Sequence, residues 1–193
     1  MQSGPGLFSG VLIIAVSMGG LLALAFAAAY GRIALISPAR TAVWLALAAF
    51  VVVALVPFLK YPAAPPGVGD PETINERTIV YVTMIVISLL AALAGVRLRA
   101  ALGGAGGGSR ATIAGLGLYA AVVLVAGIAM PVVDEVPAGF PATTLWDFRV
   151  ASLGMHAVMW AGMGAVFSLT AARVMNGKTI IPRRRSGLEV KAT

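Results

Sequence analysis

The sequence lacks cysteine altogether and has a single histidine among its 193 residues. The absence of cysteine excludes disulfides, thiolate metal sites, iron–sulfur clusters and cysteine nucleophiles. One histidine excludes a multi-histidine metal centre built by this chain alone. Charge is also scarce, because 11% of the residues are charged and 60% are hydrophobic, whereas soluble domains carry about 25% charge. This surplus of apolar side chains excludes a water-soluble globule and predicts a protein embedded in lipid.

Five apolar stretches are long enough to cross roughly 30 Å of hydrocarbon, which takes about 20 helical residues. None of them alternates like a barrel strand, and an α-helix satisfies its own backbone hydrogen bonds in lipid. The sequence therefore predicts an all-α, multi-pass membrane protein with a single membrane domain. The predicted spans are approximately residues 7–31, 41–59, 78–96, 111–133 and 150–174.

The charged residues predict an orientation in the membrane. Eleven of the 14 Lys and Arg residues fall on one side of the five spans, and six of the seven acids fall on the other. Because basic segments are retained in the cytoplasm, the N-terminus is predicted to be outside and the C-terminus inside. The glycine-rich connection 101–110 is then expected to be a flexible cytoplasmic linker. Residues 175–193 are expected to form a basic cytoplasmic tail that contacts anionic lipid.

The two longer outer connections are rich in proline and acids. Residues 60–77 read KYPAAPPGVGDPETINER, and residues 134–149 read DEVPAGFPATTLWDFR. Proline restricts the backbone and lowers the conformational entropy of the unfolded loop. Both outer loops are therefore predicted to hold a defined shape.

These loops also carry a family signature. The run LVPFLKYPAAPPGVGDPETINERT at 55–78, together with DEVPAGFPATTLWDFRVASLG at 134–154, closely resembles the CbtA family of predicted bacterial cobalt transporter subunits. The resemblance covers almost the whole chain. It implies a polytopic inner-membrane protein that transports cobalt with a partner, CbtB, a small one-helix subunit with a histidine-rich end. Family members usually begin with a further transmembrane helix, which this chain is expected to lack.

A stripe of polar and polarizable side chains lies in the fifth span. On an ideal helix Ser152, His156, Met159 and Met163 share one face. Cobalt(II) accepts imidazole nitrogen and carboxylate oxygen, and thioether sulfur is a weaker ligand. An ionisable group this deep in a bilayer indicates function, so the stripe is a candidate way station for the ion. The alternative is that the methionines pack and His156 makes one interhelical hydrogen bond.

The outer acids form a second candidate site, because a negative potential concentrates cations at the mouth of a pathway. The candidate cation ligands there are Asp70, Glu72, Asp134 and Glu135. Two arginines lie on the predicted outer side, which carries few basic residues. They are predicted to form ion pairs that join the two loops. The predicted ion-pair residues are Arg77 and Arg149, with Glu76, Asp147, Asp134 or Glu135 as the acidic partner.

Alternatives to both roles stay open for the outer charges. The spacings Thr73-x-x-Glu76 and Thr144-x-x-Asp147 fit helix capping boxes. The two arginines could instead bind a phosphate or carboxylate substrate.

The predicted function is to mediate or assist cobalt(II) uptake, with no catalytic residue, no resident cofactor and no nucleic-acid partner. The five stretches contain no Asp or Glu, so energy coupling is expected from the membrane potential or from a partner protein. The alternative is a non-transporting accessory subunit in a larger membrane complex or homo-oligomer. Small residues that permit close helix contact suit that alternative equally. They include Gly19, Gly20, Gly115, Gly117, Gly162 and Gly164.

Overall fold

The computed structural model describes residues 4–33, 36–69, 71–103 and 108–175. Asp70, the middle of the glycine-rich connection and the basic tail from residue 176 lie outside the described residues. Within these described residues, six α-helices, a π-helical segment and a 3₁₀ turn follow one another. In order they are α1 Pro5–Ala29, α2 Pro38–Ala49, the π segment Phe50–Leu55, α3 Val56–Lys60, the 3₁₀ turn Pro71–Thr73, α4 Ile74–Gly103, α5 Ser109–Ala129 and α6 Ala142–Met175.

Five helical rods are long and apolar enough to cross a membrane. Four of them are α1, α4, α5 and α6, and the fifth is the continuous run Pro38–Lys60 formed by α2, the π segment and α3. The prediction of an all-α protein with five transmembrane helices is therefore confirmed. The side of the membrane on which each terminus lies stays a prediction.

The helix ends differ from the predicted spans. The third membrane helix, α4, runs from Ile74 to Gly103. The fifth, α6, begins at Ala142, eight residues before its predicted start. Hydropathy marks the stretch that lies in hydrocarbon, whereas a helix continues into polar residues as long as nothing breaks its hydrogen bonds. Residues 101–103 and 109–110 are helical, so the prediction of a flexible linker over all of 101–110 was wrong at both ends.

Glycine permits a close helix crossing between α4 and α5. A Cβ atom added to Gly95 would lie 2.6 Å from the carbonyl oxygen of Gly115, and one added to Gly115 would lie 2.5 Å from that of Gly95. The two backbones touch because neither residue has a side chain. A hydrogen bond between Ser88 Oγ and Tyr119 Oη, 3.0 Å long, joins the same two helices.

A second helix pair is formed by α2 and α6. Gly164 of α6 lies against Ala46 of α2, and a Cβ atom added to Gly164 would lie 2.8 Å from the Ala46 Cβ. Phe26 of α1 and Phe167 of α6 pack edge to face with ring centroids 5.3 Å apart. These contacts join three of the five rods through small and aromatic side chains.

The two proline-rich loops lie at the same end of this bundle. Tyr61, which ends the second span, donates a 2.9 Å hydrogen bond to the carbonyl of Pro131, which follows α5. At the opposite end, Arg99 donates to the carbonyl of Ile33 at 2.6 Å and to Thr112 Oγ1 at 3.1 Å. The fold therefore brings the two acidic, proline-rich connections together at one end of the bundle and places the basic ends of α4 and α5 at the other.

Candidate functional site

A cavity of about 400 Å³ lies between the two proline-rich loops and the first turns of α4 and α6. Its wall is made by α3, the loop after it, the start of α4, the loop before α6 and one face of α6. Six of the twelve residues predicted to bind a cation or to form ion pairs line it. They are Arg77, Asp134, Glu135, Arg149, Ser152 and His156.

One ion pair crosses between the two loops at this cavity. Arg77 Nε lies 3.0 Å from Glu135 Oε2, and the two side chains are 30% and 18% exposed. Thr73 Oγ1 donates a short hydrogen bond to the other carboxylate oxygen of Glu135. A partly buried pair with a further hydrogen bond is shielded from solvent screening more than a surface pair is. Glu135, predicted as a cation ligand, therefore has its charge balanced by Arg77 in the structure.

Gly69 provides the space for that ion pair. Its φ of +105° is a conformation that residues with a side chain rarely adopt. A Cβ atom added to Gly69 would lie 2.7 Å from Arg77 Nη1 and 2.8 Å from Glu135 Oε2. The turn before α4 thus packs its bare backbone directly on the pair, which sequence analysis did not identify.

Tyr61 closes the cavity at the second span. Burial raises the pKa of its phenol above the ordinary value. The hydroxyl therefore stays protonated at physiological pH and remains the donor to Pro131. This link between the two loops is a second contact that sequence analysis missed, because interfacial tyrosines are common in membrane proteins whatever they bind.

Arg149 lies on α6 and contacts the loop that follows α3. Its Nε donates to the carbonyl of Ala63 at 3.4 Å, and no carboxylate of the described residues lies within 4.0 Å of its guanidinium. Ser152 and His156 follow it at i+3 and i+7 on α6, and all three side chains line the cavity. The loop contact of Arg149 is thus to a backbone carbonyl.

The deeper half of the predicted stripe does not reach the cavity. Met159 is 37% exposed, and neither Met159 nor Met163 lines the wall. The buried face of α6 is formed instead by Trp160, Gly164 and Ala171. Ser152 and His156 therefore line the same cavity as Asp134 and Glu135, and the two methionines do not.

Three other predicted residues lie away from the cavity wall, namely Glu72, Glu76 and Asp147, and all three are exposed. The interpretation of Thr144 and Asp147 as a capping box was wrong, because α6 already begins at Ala142 and Thr144 lies inside its first turn. The predicted ligand Asp70 lies outside the described residues. No group of three or more His, Asp or Glu side chains in the described part of the chain could hold a metal ion.

These features define a class of protein. Five apolar rods, three of which border a cavity that has charged side chains on its wall, are typical of a multi-pass membrane protein that passes or recognises a small solute. The family model of CbtA, described as a probable cobalt transporter subunit, matches residues 1–172. The chain belongs to the CbtA family. No curated protein and no solved structure matches it.

Proposed function

We propose that this chain mediates or assists cobalt(II) uptake across the bacterial inner membrane, with the cavity as its outer entrance. The observation that supports this most directly is that Asp134 and His156 line the same cavity. Carboxylate oxygen and imidazole nitrogen are ligands that cobalt(II) accepts. The membership of the CbtA family supports cobalt as the cargo.

Asp134 is the best placed of the acids to collect the ion. It is exposed at the mouth, and no Lys or Arg of the described residues lies within 4.0 Å of its carboxylate. Glu135 is paired with Arg77, so its charge attracts a cation less. We assign the first contact with the hydrated ion to Asp134.

Ser152 and His156 form the next contact along the pathway. Both lie on the face of α6 that lines the cavity, and His156 is one turn deeper than Ser152. Met159 and Met163 lie one and two turns beyond His156 and do not line the cavity, so the proposed contacts end at His156.

The membrane potential is a sufficient driving force for a divalent cation. It contributes about 2.3 kcal/mol per charge per 100 mV, and this contribution is doubled for cobalt(II). We propose that entry is driven in this way or by a partner protein, since the predicted spans contain no acid that could relay protons.

Cobalt accumulation in cells that lack other uptake routes tests the proposal. We expect His156→Ala and Asp134→Ala each to lower the initial rate of uptake by about tenfold, the effect of losing one charged or coordinating contact of roughly 1.4 kcal/mol. Met155→Ala and Asp147→Ala are the matched controls, because Met155 is 75% exposed and neither residue lines the cavity. Uptake that stays at the wild-type rate in both His156→Ala and Asp134→Ala would contradict the proposed site.

A second candidate function is an accessory subunit that docks against another membrane protein. The N-terminal half of α1 favours it, since Phe8, Ile13 and Val16 are 70%, 65% and 68% exposed and contribute nothing to the core of the bundle. Such a surface fits a further transmembrane helix as well as it fits lipid. We propose a small one-helix, histidine-rich subunit of the CbtB type as the partner, or a second copy of this chain.

Co-expression separates these candidates. A tagged chain purified in mild detergent should retain the one-helix subunit and support uptake only when both are present. Wild-type uptake by the chain without any partner would exclude an obligatory subunit and leave the transporter function in place.

A further inference from the structure

Hydrogen-bonding groups on α6 line the cavity without partners among the described residues. Arg149 uses only its Nε, in the bond to Ala63, and its other guanidinium N–H groups have no acceptor in the described part of the chain. Ser152 and His156 make no hydrogen bond with any described residue. Half-buried polar groups in a protein are usually satisfied by protein, water or ligand. This face of α6 therefore offers a set of donors to a solute.

The charges of the cavity wall are balanced. Arg77 and Glu135 compensate one another at 3.0 Å, which leaves Arg149 and Asp134 as the charges without an ion pair among the described residues. A bare divalent cation in the cavity is attracted by Asp134 and repelled by Arg149. A solute that carries a positive and a negative group together matches both residues.

The size of the cavity also exceeds the need of a bare ion. Six waters around a cation take up about 180 Å³ at about 30 Å³ for each water in the liquid, whereas the cavity measures about 400 Å³. The difference leaves room for a small organic anion beside the ion. The cavity therefore has room for a complex that carries both a positive and a negative group.

We propose that Arg149 and Ser152 form a carboxylate subsite, so that the divalent cation enters as its complex with a small dicarboxylate. Arg149 presents two parallel N–H groups that fit a carboxylate, and Ser152 adds a hydroxyl donor one turn away on the same face. The cation of the complex lies toward Asp134 and His156. This inference rests on the proposed function, because it names the chemical form in which the same site receives its metal.

Calorimetric titration of the purified full-length chain with cobalt(II), at buffered free metal, tests the subsite. With succinate present we expect the wild-type chain to bind cobalt(II) about tenfold more tightly, the effect of one added charge-assisted contact. Arg149→Gln should lose that enhancement and should bind the bare ion a few-fold more tightly, because a like charge has been removed. A purely structural Arg149 would weaken the binding of both forms.

Two control variants show whether the enhancement depends on the charge or the planar shape of Arg149, and whether it is specific to that position. Arg149→Lys keeps the charge without the planar pair of donors, so it should retain only part of the succinate enhancement. Arg40→Gln removes an exposed arginine that lies near the start of α2 and does not line the cavity, and it should behave as the wild type does.

The other possible results of the titration would each contradict a different part of the proposal. If cobalt(II) binds equally well with and without succinate, the carboxylate subsite is wrong and the proposed function stands. If inorganic phosphate enhances cobalt binding more than succinate does, the subsite recognises a tetrahedral anion and the carboxylate assignment is wrong. If cobalt(II) does not bind under either condition, both the proposed function and this inference fail.

Discussion

Gly115→Val should unfold at a markedly lower temperature than the wild-type chain in detergent, because it forces two touching helix backbones apart. A Cβ atom at this position would lie 2.5 Å from the carbonyl oxygen of Gly95. Overpacking of this kind costs about 1–3 kcal/mol in well-packed cores, and here the neighbour is backbone that cannot change rotamer. Gly95→Val should have the same effect, since its Cβ would meet Gly115 in the same way.

The control for this prediction lies on the same helix. Gly117 has open space where a side chain would be and is exposed, so Gly117→Val should unfold within a degree or two of the wild type. The measurement is thermal unfolding of the three variants by circular dichroism or by aggregation in detergent. Equal midpoints for Gly115→Val and Gly117→Val would show that α4 and α5 do not cross at these glycines.

Gly69→Ala should both destabilise the chain and weaken the contact between its two outer loops. The φ of +105° at Gly69 costs a residue with a side chain about 1–2 kcal/mol. The added methyl group would also meet Arg77 and Glu135 at 2.7 and 2.8 Å, so the ion pair must separate or move. Cobalt uptake should fall together with stability, because this pair joins the loops that frame the cavity.

Gly67 supplies a matched control for the backbone strain. Its φ is +82°, and nothing lies within 4 Å of a Cβ atom added there. Gly67→Ala should therefore show the backbone penalty alone and keep the loops joined. We expect the free energy of unfolding of Gly69→Ala to be lower than that of Gly67→Ala by about 1 kcal/mol, the size of a lost ion pair, because the methyl group meets the ends of two flexible side chains that can move apart. Identical values for the two variants would mean that the ion pair does not depend on Gly69.

The number and type of the membrane helices could be predicted from the sequence because both follow from hydropathy and backbone hydrogen bonding. The transfer of about 20 apolar residues into hydrocarbon leaves no alternative to a helix. The helix ends could not be predicted so well. Nothing in the hydropathy of residues 142–149 distinguishes a proline-rich loop from the first two turns of α6, since both are moderately polar.

Which of the predicted residues line the cavity depends on tertiary structure, and residue patterns do not show it. Sequence spacing places Ser152, His156, Met159 and Met163 on one side of a helix, but it does not say which part of that side meets the cavity. In the structure α6 is turned so that Ser152 and His156 line the wall and the methionines do not.

The sequence also could not show which acid pairs with Arg77, because four acids were candidates. The choice of Glu135 depends on the left-handed turn at Gly69 and on the hydroxyl of Thr73, both of which surround the pair. The one signal of that turn in the sequence is that Gly69 stands directly before an acid and a proline.

The central claim is that both proline-rich loops frame an entrance on the outer side of the membrane. Because the sequence has no cysteine, single cysteines can be introduced at Pro66, Ala138 and Ala101, all of which are exposed. A membrane-impermeant maleimide added to intact cells should label Pro66→Cys and Ala138→Cys, and it should label Ala101→Cys only after the cells are opened. Labelling of Ala101→Cys alone in intact cells, or of one loop without the other, would contradict the account.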